Sequence, residues 1–468
     1  MISGSIAVPR PEFRREMTLT ETFRTRLART DSETLRGSGP EADELRRELL
    51  TGSRIAVVEP GYESKRFIYD RARALGVELV FVGNEGSWAR RLVDEGGAAC
   101  YLPAVTSGNP DRAASSILTA LGDQAGLLDG VVTFWEDAVP ATARAAAALG
   151  LPGAPPDSAD SARSKLRTLQ ASRDAGLPTP RFVHLDDAAM LPEAAEHVGF
   201  PAVIKPVFGA EALGCLRVDE LGSLEAGYKR VAALITPELN PIFEQGRDLL
   251  LEEYLDGREF DVDILLSDGK CVFSAVSENS PTEEPYFVET GMHSPSAYPE
   301  QRLREMTDLC VATALALGFT NSVLHAEAKY TSLGPRILEL NGRLAGGVIT
   351  EIHRLVTSVD LIEQQLLLAL GLPAAPTPHP QPAAGCATIF LHASRSGRLA
   401  HTRFLDHLGA DPSVIQNEII VEAGEPVTAA ADGFPSVIAE LTVTAPSAQE
   451  ARAKVQALVD ALEIPYTD

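Results

Sequence analysis

Two short segments hold the residues most suited to chemistry. Leu324-His325-Ala326-Glu327-Ala328-Lys329 and Arg336-Ile337-Leu338-Glu339-Leu340-Asn341-Gly342-Arg343 both alternate with period two, as strands do. In the second, Glu339, Asn341 and Arg343 share one face, while Leu338 and Leu340 take the other. Thr331-Ser332-Leu333-Gly334-Pro335 between them is turn-forming. A hairpin centred on Leu333 sets Glu327 opposite Glu339 and His325 opposite Asn341. Two carboxylates and a carboxamide then converge, with Arg343 at the end of the face. Like charges so placed repel unless something positive lies between them. A hard divalent cation answers that need, and Mg²⁺ is usually held by one or two carboxylates plus substrate phosphates. The competing reading is a solvated polar face neutralised by Lys329 or Arg343. The clean apolar face favours the metal.

Two further segments gain meaning beside this ribbon. Phe200-Pro201-Ala202-Val203-Ile204-Lys205-Pro206 ends an apolar strand on a lysine, although a bare ammonium is costly to bury. The next residues, 207–214, include Gly209, Ala210, Ala212 and Gly214, small enough for backbone N–H groups to approach phosphate oxygens. Residues 249–260 run from an apolar strand through Glu252, Glu253, Tyr254 and Leu255 to a glycine turn and Glu259. That arrangement offers backbone groups for an adenine edge and a carboxylate for a ribose. Each segment in isolation also reads as an ordinary hairpin.

These residues need a scaffold. Residues 53–150 alternate strand and helix patterns, which implies a parallel sheet with right-handed crossovers. The loop after the first strand, Glu59-Pro60-Gly61-Tyr62-Glu63, lacks the Gly-x-Gly-x-x-Gly fingerprint, so no NAD site is expected. No Gly-x-x-x-x-Gly-Lys-Ser/Thr loop accompanies Lys205 either. We divide the chain into a helical extension (1–50), an α/β domain (51–160), a lid and hinge region (161–260), a metal and catalytic region (261–371) and a C-terminal α/β subdomain (372–468). A single helix is expected over 161–175 and a final one over 447–462, capped by Ser447. Pro373 to Pro382 form a proline-dense linker. Trp135-Glu136 ends a strand facing the expected cleft, where substrate contact competes with core packing.

Composition removes several function classes. The 468 residues carry a net charge of −24, which argues against nucleic acid. No apolar run approaches the ~18 residues of a membrane span, and no secretory leader pattern opens the sequence. The expected location is the cytoplasm, with no membrane partner. The five cysteines are scattered, odd in number and free of Cys-x-x-Cys spacing, so buried thiols are favoured over disulfides or zinc.

Taken in order, the lysine strand, the acidic hinge and the Glu339-Leu340-Asn341-Gly342-Arg343 run resemble the ATP-grasp superfamily of carboxylate–amine ligases across roughly residues 53–460. Within it, Phe287-Val288-Glu289-Thr290-Gly291 with Pro295-Ser296 is similar to the substrate segment of L-amino-acid ligases and carnosine-synthase-like enzymes. The resemblance implies an α/β, ATP-grasp fold: an N-terminal doubly wound parallel sheet, a lid and a C-terminal domain. It implies ATP and two Mg²⁺ ions, with Mn²⁺ as a substitute, small amino-acid-like substrates and a homodimer. It also implies roles. Lys165 and Lys205 contact ATP phosphates. Glu252, Glu253, Tyr254 and Leu255 form the adenine hinge, and Glu259 holds the ribose. Glu327, Glu339 and Asn341 bind the metal. Arg343, with Lys205, stabilises the reacting acyl phosphate. Glu289, His293, Ser296, Arg343 and Gly346 line the substrate pocket. The implied reaction joins a carboxylate to an amine and releases ADP and phosphate. An ATP-dependent carboxylase or another small-molecule ligase is the alternative within the superfamily, and a non-catalytic nucleotide-binding protein the alternative outside it. Glu211 departs from the pattern, since an acid facing phosphates is unfavourable; it is expected to point outward.

Overall fold

A computed structural model describes residues 22–210 and 212–467 as a mixed α/β protein built on four sheets. The first 21 residues of the expected helical extension, and Glu211, therefore lie outside the described residues.

The first sheet holds β1 (Arg54–Val58), β2 (Glu78–Gly83), β3 (Cys100–Pro103) and β4 (Gly130–Thr133) in the order β3-β2-β1-β4, all parallel. Its strands read as continuous apolar runs because both faces are covered. Ile55, Val57 and Phe81 pack with Ile68 and Leu366 on one side, and Ala56, Val58 and Val82 pack with Ile117 and Ala141 on the other. The order reverses between β1 and β4, so their C-terminal ends open a crevice of the kind that binds ligands.

Three helices, Phe23–Arg29, Ser32–Arg36 and Pro40–Leu50, precede this sheet, and Phe23, Leu35, Leu49 and Leu50 join its core. Arg46 is buried and donates to the carbonyls of Leu35, Gly37 and Ala375. The guanidinium thereby satisfies helix ends that would otherwise be orphaned in the interior.

The second sheet, antiparallel, contains β5 (Phe182–Leu185), β6 (Ala202–Pro206), β7 (Leu216–Val218) and β8 (Leu249–Glu253) in the order β5-β8-β6-β7. The single helix expected over 161–175 is two, Pro156–Arg163 and Lys165–Asp174. Ser164 is extended, and its hydroxyl accepts from the Arg167 amide at 3.3 Å. A serine able to cap a helix has split one run in two. The break also aims Arg163 and Lys165, on either side of it, at the same carbonyl.

The third sheet is the largest, ordered β13-β12-β9-β10-β11-β14-β18-β16. Its strands are β9 (Arg258–Ser267), β10 (Lys270–Asn279), β11 (Gly291–Ser294), β12 (Ser322–Thr331), β13 (Gly334–Asn341), β14 (Gly385–His392), β16 (Val414–Ile419) and β18 (Val437–Ala445). It runs unbroken past residue 371, where a domain boundary was expected. A small sheet, β15 (Gly397–Leu399) between β17 (Pro426–Val427) and β19 (Tyr466–Thr467), lies outside it. Helix Ala448–Asp460 starts at Ser447, whose hydroxyl accepts from the Glu450 amide.

The two faces of the large sheet differ in chemistry. Phe260, Val262, Ile264, Leu324, Ala326 and Leu340 pack on Met306, Cys310 and Ala314 of helix Glu300–Ala316. The opposite face carries Glu259, Asp261, Asp263, His325, Glu327, Lys329, Glu339 and Asn341, alternating with the apolar set.

Candidate active site

The acidic face looks across a cleft at the second sheet. The cleft measures about 920 Å³ including its open mouth, and Lys165, Lys205, Glu252, Glu259, Glu327 and Glu339 all line it.

From the lid side, Lys205 ends β6 with only 6% of its surface exposed. Its Nζ lies 2.8 Å from Glu252 of β8. Burial opposes the ammonium, but Glu252, Cys215 and Glu339 together outweigh it and raise the lysine's pKa. The burial cost of this lysine is therefore offset by a partner two strands share. Glu253 also lines the cleft, yet its carboxylate turns to Arg181 at 3.0 Å. Tyr254 Oη donates to Glu284 at 2.7 Å, and the ring sits under the Arg217 guanidinium. Leu255 and Glu259 complete the hinge side; the carboxylate of Glu259 is 3.7 Å from Lys329 Nζ.

From the sheet side, the ribbon has the register its sequence implied: Glu327 pairs with Glu339 and His325 with Asn341, about a turn at Ser332-Leu333. A bulge follows Glu327, and it changes one residue. Leu338, expected on the apolar face with Leu340, lines the cleft instead, because the extra residue of a bulge leaves the alternation. Glu339 accepts from Asn341 Nδ2 at 3.0 Å and meets Lys165 Nζ at 2.6 Å. Burial would raise its pKa, but Lys165, Asn341 and Lys205 together hold it down at about 2. Glu327 is its opposite. Burial, followed by the charges of Glu339, Asp261, Glu289 and Glu259, pushes its carboxyl well above the usual range.

That contrast tests the fit to a divalent cation. Glu327 is an oxygen donor crowded by acids that His325, its Nε2 3.8 Å away, does not balance, the condition a hard cation relieves. Among the described residues, no three carboxylate, imidazole or thiol groups are drawn into a ready-made cage. Lys165 sits on Glu339 instead. The donor set fits an ion that arrives with further oxygen ligands, as a metal–nucleotide does.

Beneath the ribbon lies a buried cluster that the sequence reading missed. Asp263 is wholly buried and accepts from His325 Nδ1 at 3.3 Å and His353 Nε2 at 2.7 Å. Burial alone would push the His325 imidazole toward neutrality, but Asp263 outweighs it and lifts it to about 9. Asp261, one pair further along β9, accepts from Asn279 Nδ2 at 3.0 Å. The signal was present in Glu259-Phe260-Asp261-Val262-Asp263, three acids at alternate positions of one strand.

Arg343 follows the end of β13. Its Nε lies 2.8 Å from Glu136, beyond β4 of the first sheet, and its Nη1 donates to the Leu344 carbonyl. Gly346 is next to open space, and Glu289 lines the cleft. His293 and Ser296 do not line this cleft. His293 pairs with Glu278, which pairs with Phe260, so His293 belongs to the face opposite Glu327. There Ser296 Oγ donates to Glu278 at 2.8 Å, and His293 Nε2 lies 3.5 Å from the same carboxylate. Period-two alternation cannot put His293 and Glu327 on one side of a shared sheet.

Residues 198–351 match the model of the ATP-grasp domain, and residues 69–153 that of the ATP-grasp N-terminal domain. The chain is an ATP-grasp protein. Carnosine synthase 1 of Gallus gallus is 32% identical over 75% of this chain and 38% of its own length. The chain spans less than half the length of the carnosine synthases it matches in chicken, human and mouse. Alanine–anticapsin ligase of Bacillus subtilis is 25% identical over 52% of this chain and 53% of its own. The crystal structure of an L-amino acid ligase from Bacillus licheniformis shares the fold, with a TM-score of 0.77, 22% identity, and coverage of 89% of this chain and 99% of that one. Among the described residues, no helix of this ATP-grasp chain is long and apolar enough to cross a membrane.

Proposed function

We propose that this ATP-grasp protein joins the carboxylate of one amino-acid-like molecule to the amine of another, using ATP. The observation that carries the reading is the facing of two charge sets across one cleft: Lys165 and Lys205 against Glu327 and Glu339. Cations alone suit phosphate, and acids alone suit metal; the two together suit a metal–nucleotide. Similarity to a carnosine synthase and to an alanine–anticapsin ligase supports amino acids as the reactants.

Glu252 to Leu255 would edge the adenine and Glu259 would take the ribose hydroxyls. Lys165 and Lys205 would bind phosphate oxygens, with Glu252 keeping Lys205 charged and aimed. Glu327, Glu339 and Asn341 would hold Mg²⁺, which when bound neutralises charge at the phosphates. A substrate carboxylate oxygen would attack the γ-phosphorus, breaking its bond to ADP and giving an acyl phosphate. The amine nitrogen would then attack the acyl carbon, its proton would leave, and the C–O bond to phosphate would break. Arg343 would stabilise the oxyanion formed at that carbon. The protein's share is placement and charge rather than covalent chemistry. Residues 207–214, closing over the cleft, would keep water from the acyl phosphate.

The test is incubation with MgATP and pairs of amino acids, reading phosphate release and new amides by mass spectrometry. Both signals are expected for at least one pair and are expected to vanish in Glu339→Gln. ATP hydrolysis without any amide, across a broad panel, contradicts the reading.

A further inference from the structure

Beside the cleft, two consecutive acids of the first domain hold two different parts of the site. Glu136 and Asp137 lie in the 3₁₀ turn Glu136–Ala138, just after β4. Glu136 is 7% exposed and pairs with Arg343 Nε at 2.8 Å. Asp137 pairs with Arg163 Nη2 at 2.7 Å, and the Arg163 side chain is 3% exposed. Arg163 Nη1 in turn donates to the carbonyl of Gly209, in the lid loop, at 3.1 Å. Lys165 Nζ reaches that same carbonyl at 3.2 Å while meeting Glu339. Gly209 has φ +149°, a conformation that a side chain would strain, so its carbonyl can be presented this way only by glycine. A Cβ built on Gly342 would stand 3.0 Å from Val139 Cγ1, two residues beyond Asp137.

We propose that Glu136 and Asp137 form a two-sided clamp, in which Glu136 positions Arg343 and Asp137, through Arg163, positions the lid loop at Gly209. Both are positioning residues; neither touches the reacting atoms. The inference rests on the ligase reading, because it assigns Arg343 to the acyl step and the 207–214 loop to the nucleotide. Buried ion pairs suit such work. A guanidinium ion-paired on one side with a buried carboxylate is biased toward presenting its remaining N–H groups on the other. A lid anchored through a buried arginine closes to one place rather than several. The two halves act on different steps, so they separate kinetically.

The experiment uses the full chain with MgATP and an amino-acid pair that supports turnover. Misplacement by about 1 Å costs on the order of 100-fold in rate. Glu136→Gln is expected to lower kcat by roughly 10- to 100-fold, with KM for ATP changed by less than about 2-fold. Glu136→Asp is expected to recover part of that loss, since it restores the charge. Asp137→Asn is expected to raise KM for ATP by roughly 10-fold and to leave kcat the less affected constant. The double variant Glu136→Gln with Arg343→Gln removes both charges of the pair and is expected to be no slower than Arg343→Gln alone. Multiplying losses in that double variant, or kcat and KM moving together in both single variants in step with a fall in Tm, would overturn the clamp. A wild-type chain that turns over no pair contradicts the ligase reading and the clamp with it; normal turnover with clamp-independent kinetics contradicts the clamp alone.

Discussion

Lys165 Nζ lies 2.6 Å from Glu339 Oε2, and the lysine is the glutamate's main source of opposite charge. The lysine opens a helix of the connector, and the glutamate sits on the edge strand of the large sheet. A nucleotide entering the cleft would present phosphate to the lysine and release the glutamate for metal. Lys165→Met is therefore expected to weaken MgADP binding by about 10- to 100-fold, the worth of one charge-assisted hydrogen bond. Isothermal titration calorimetry reads the change, and unaltered affinity would remove Lys165 from the phosphate site.

Glu327 gives a prediction of opposite sign for stability and for function. Its carboxyl is partly buried and crowded by Glu339, Asp261, Glu289 and Glu259. Glu327→Gln is expected to raise the Tm of the metal-free protein, because a repelled charge is gone, while lowering Mg²⁺-dependent activity by on the order of 100-fold. Differential scanning calorimetry with parallel assays checks both. A variant that loses Tm and activity together would mark Glu327 as structural.

Asp263 makes the reverse case. It is wholly buried between His325 and His353, and its carboxyl is held well below the usual range: burial alone would raise it, but the two imidazoles outweigh that. Asp263→Asn leaves the His325 imidazolium without its counter-charge and is expected to cost about 3–5 kcal/mol. Urea unfolding measures this; a loss below about 1 kcal/mol would contradict the assigned pairing.

Glu440, on β18, supplies a pH dependence. Burial, with Glu418 opposite, pushes its carboxyl from 4.5 to about 7. The folded state then binds more protons than the unfolded one between those values, so stability is full below about 4.5 and falls as pH rises through about 7. The loss is roughly 3 kcal/mol, from 1.36 kcal/mol per unit. Glu440→Gln is expected to flatten that slope and to be the more stable protein at pH 8. Parallel stability curves for the two proteins between pH 5 and 8 would contradict the shift.

How much of this the sequence carried depends on whether local pattern sufficed. The ribbon's register was legible because alternation and a turn centred on Leu333 leave a single way to pair Glu327 with Glu339. The parallel sheet was legible from its apolar runs. The break at Ser164 was not, since a capping serine inside a helical run carries no periodic mark. Leu338 escaped because a bulge shifts alternation without changing composition. That His293 faces away from Glu327 was not legible because its face depends on four strands pairing in series, information that no short segment holds. Glu136 meets Arg343 across more than 200 residues, and only tertiary packing brings them together.

Oxygen transfer tests the central claim most directly. A carboxylate substrate labelled with ¹⁸O is to be joined to its amine partner by the full chain with MgATP, and the released phosphate analysed by mass spectrometry. An acyl phosphate requires that one ¹⁸O pass from the carboxylate to the phosphate, and labelled phosphate in step with amide is the expected result. Amide formed with unlabelled phosphate would contradict the account.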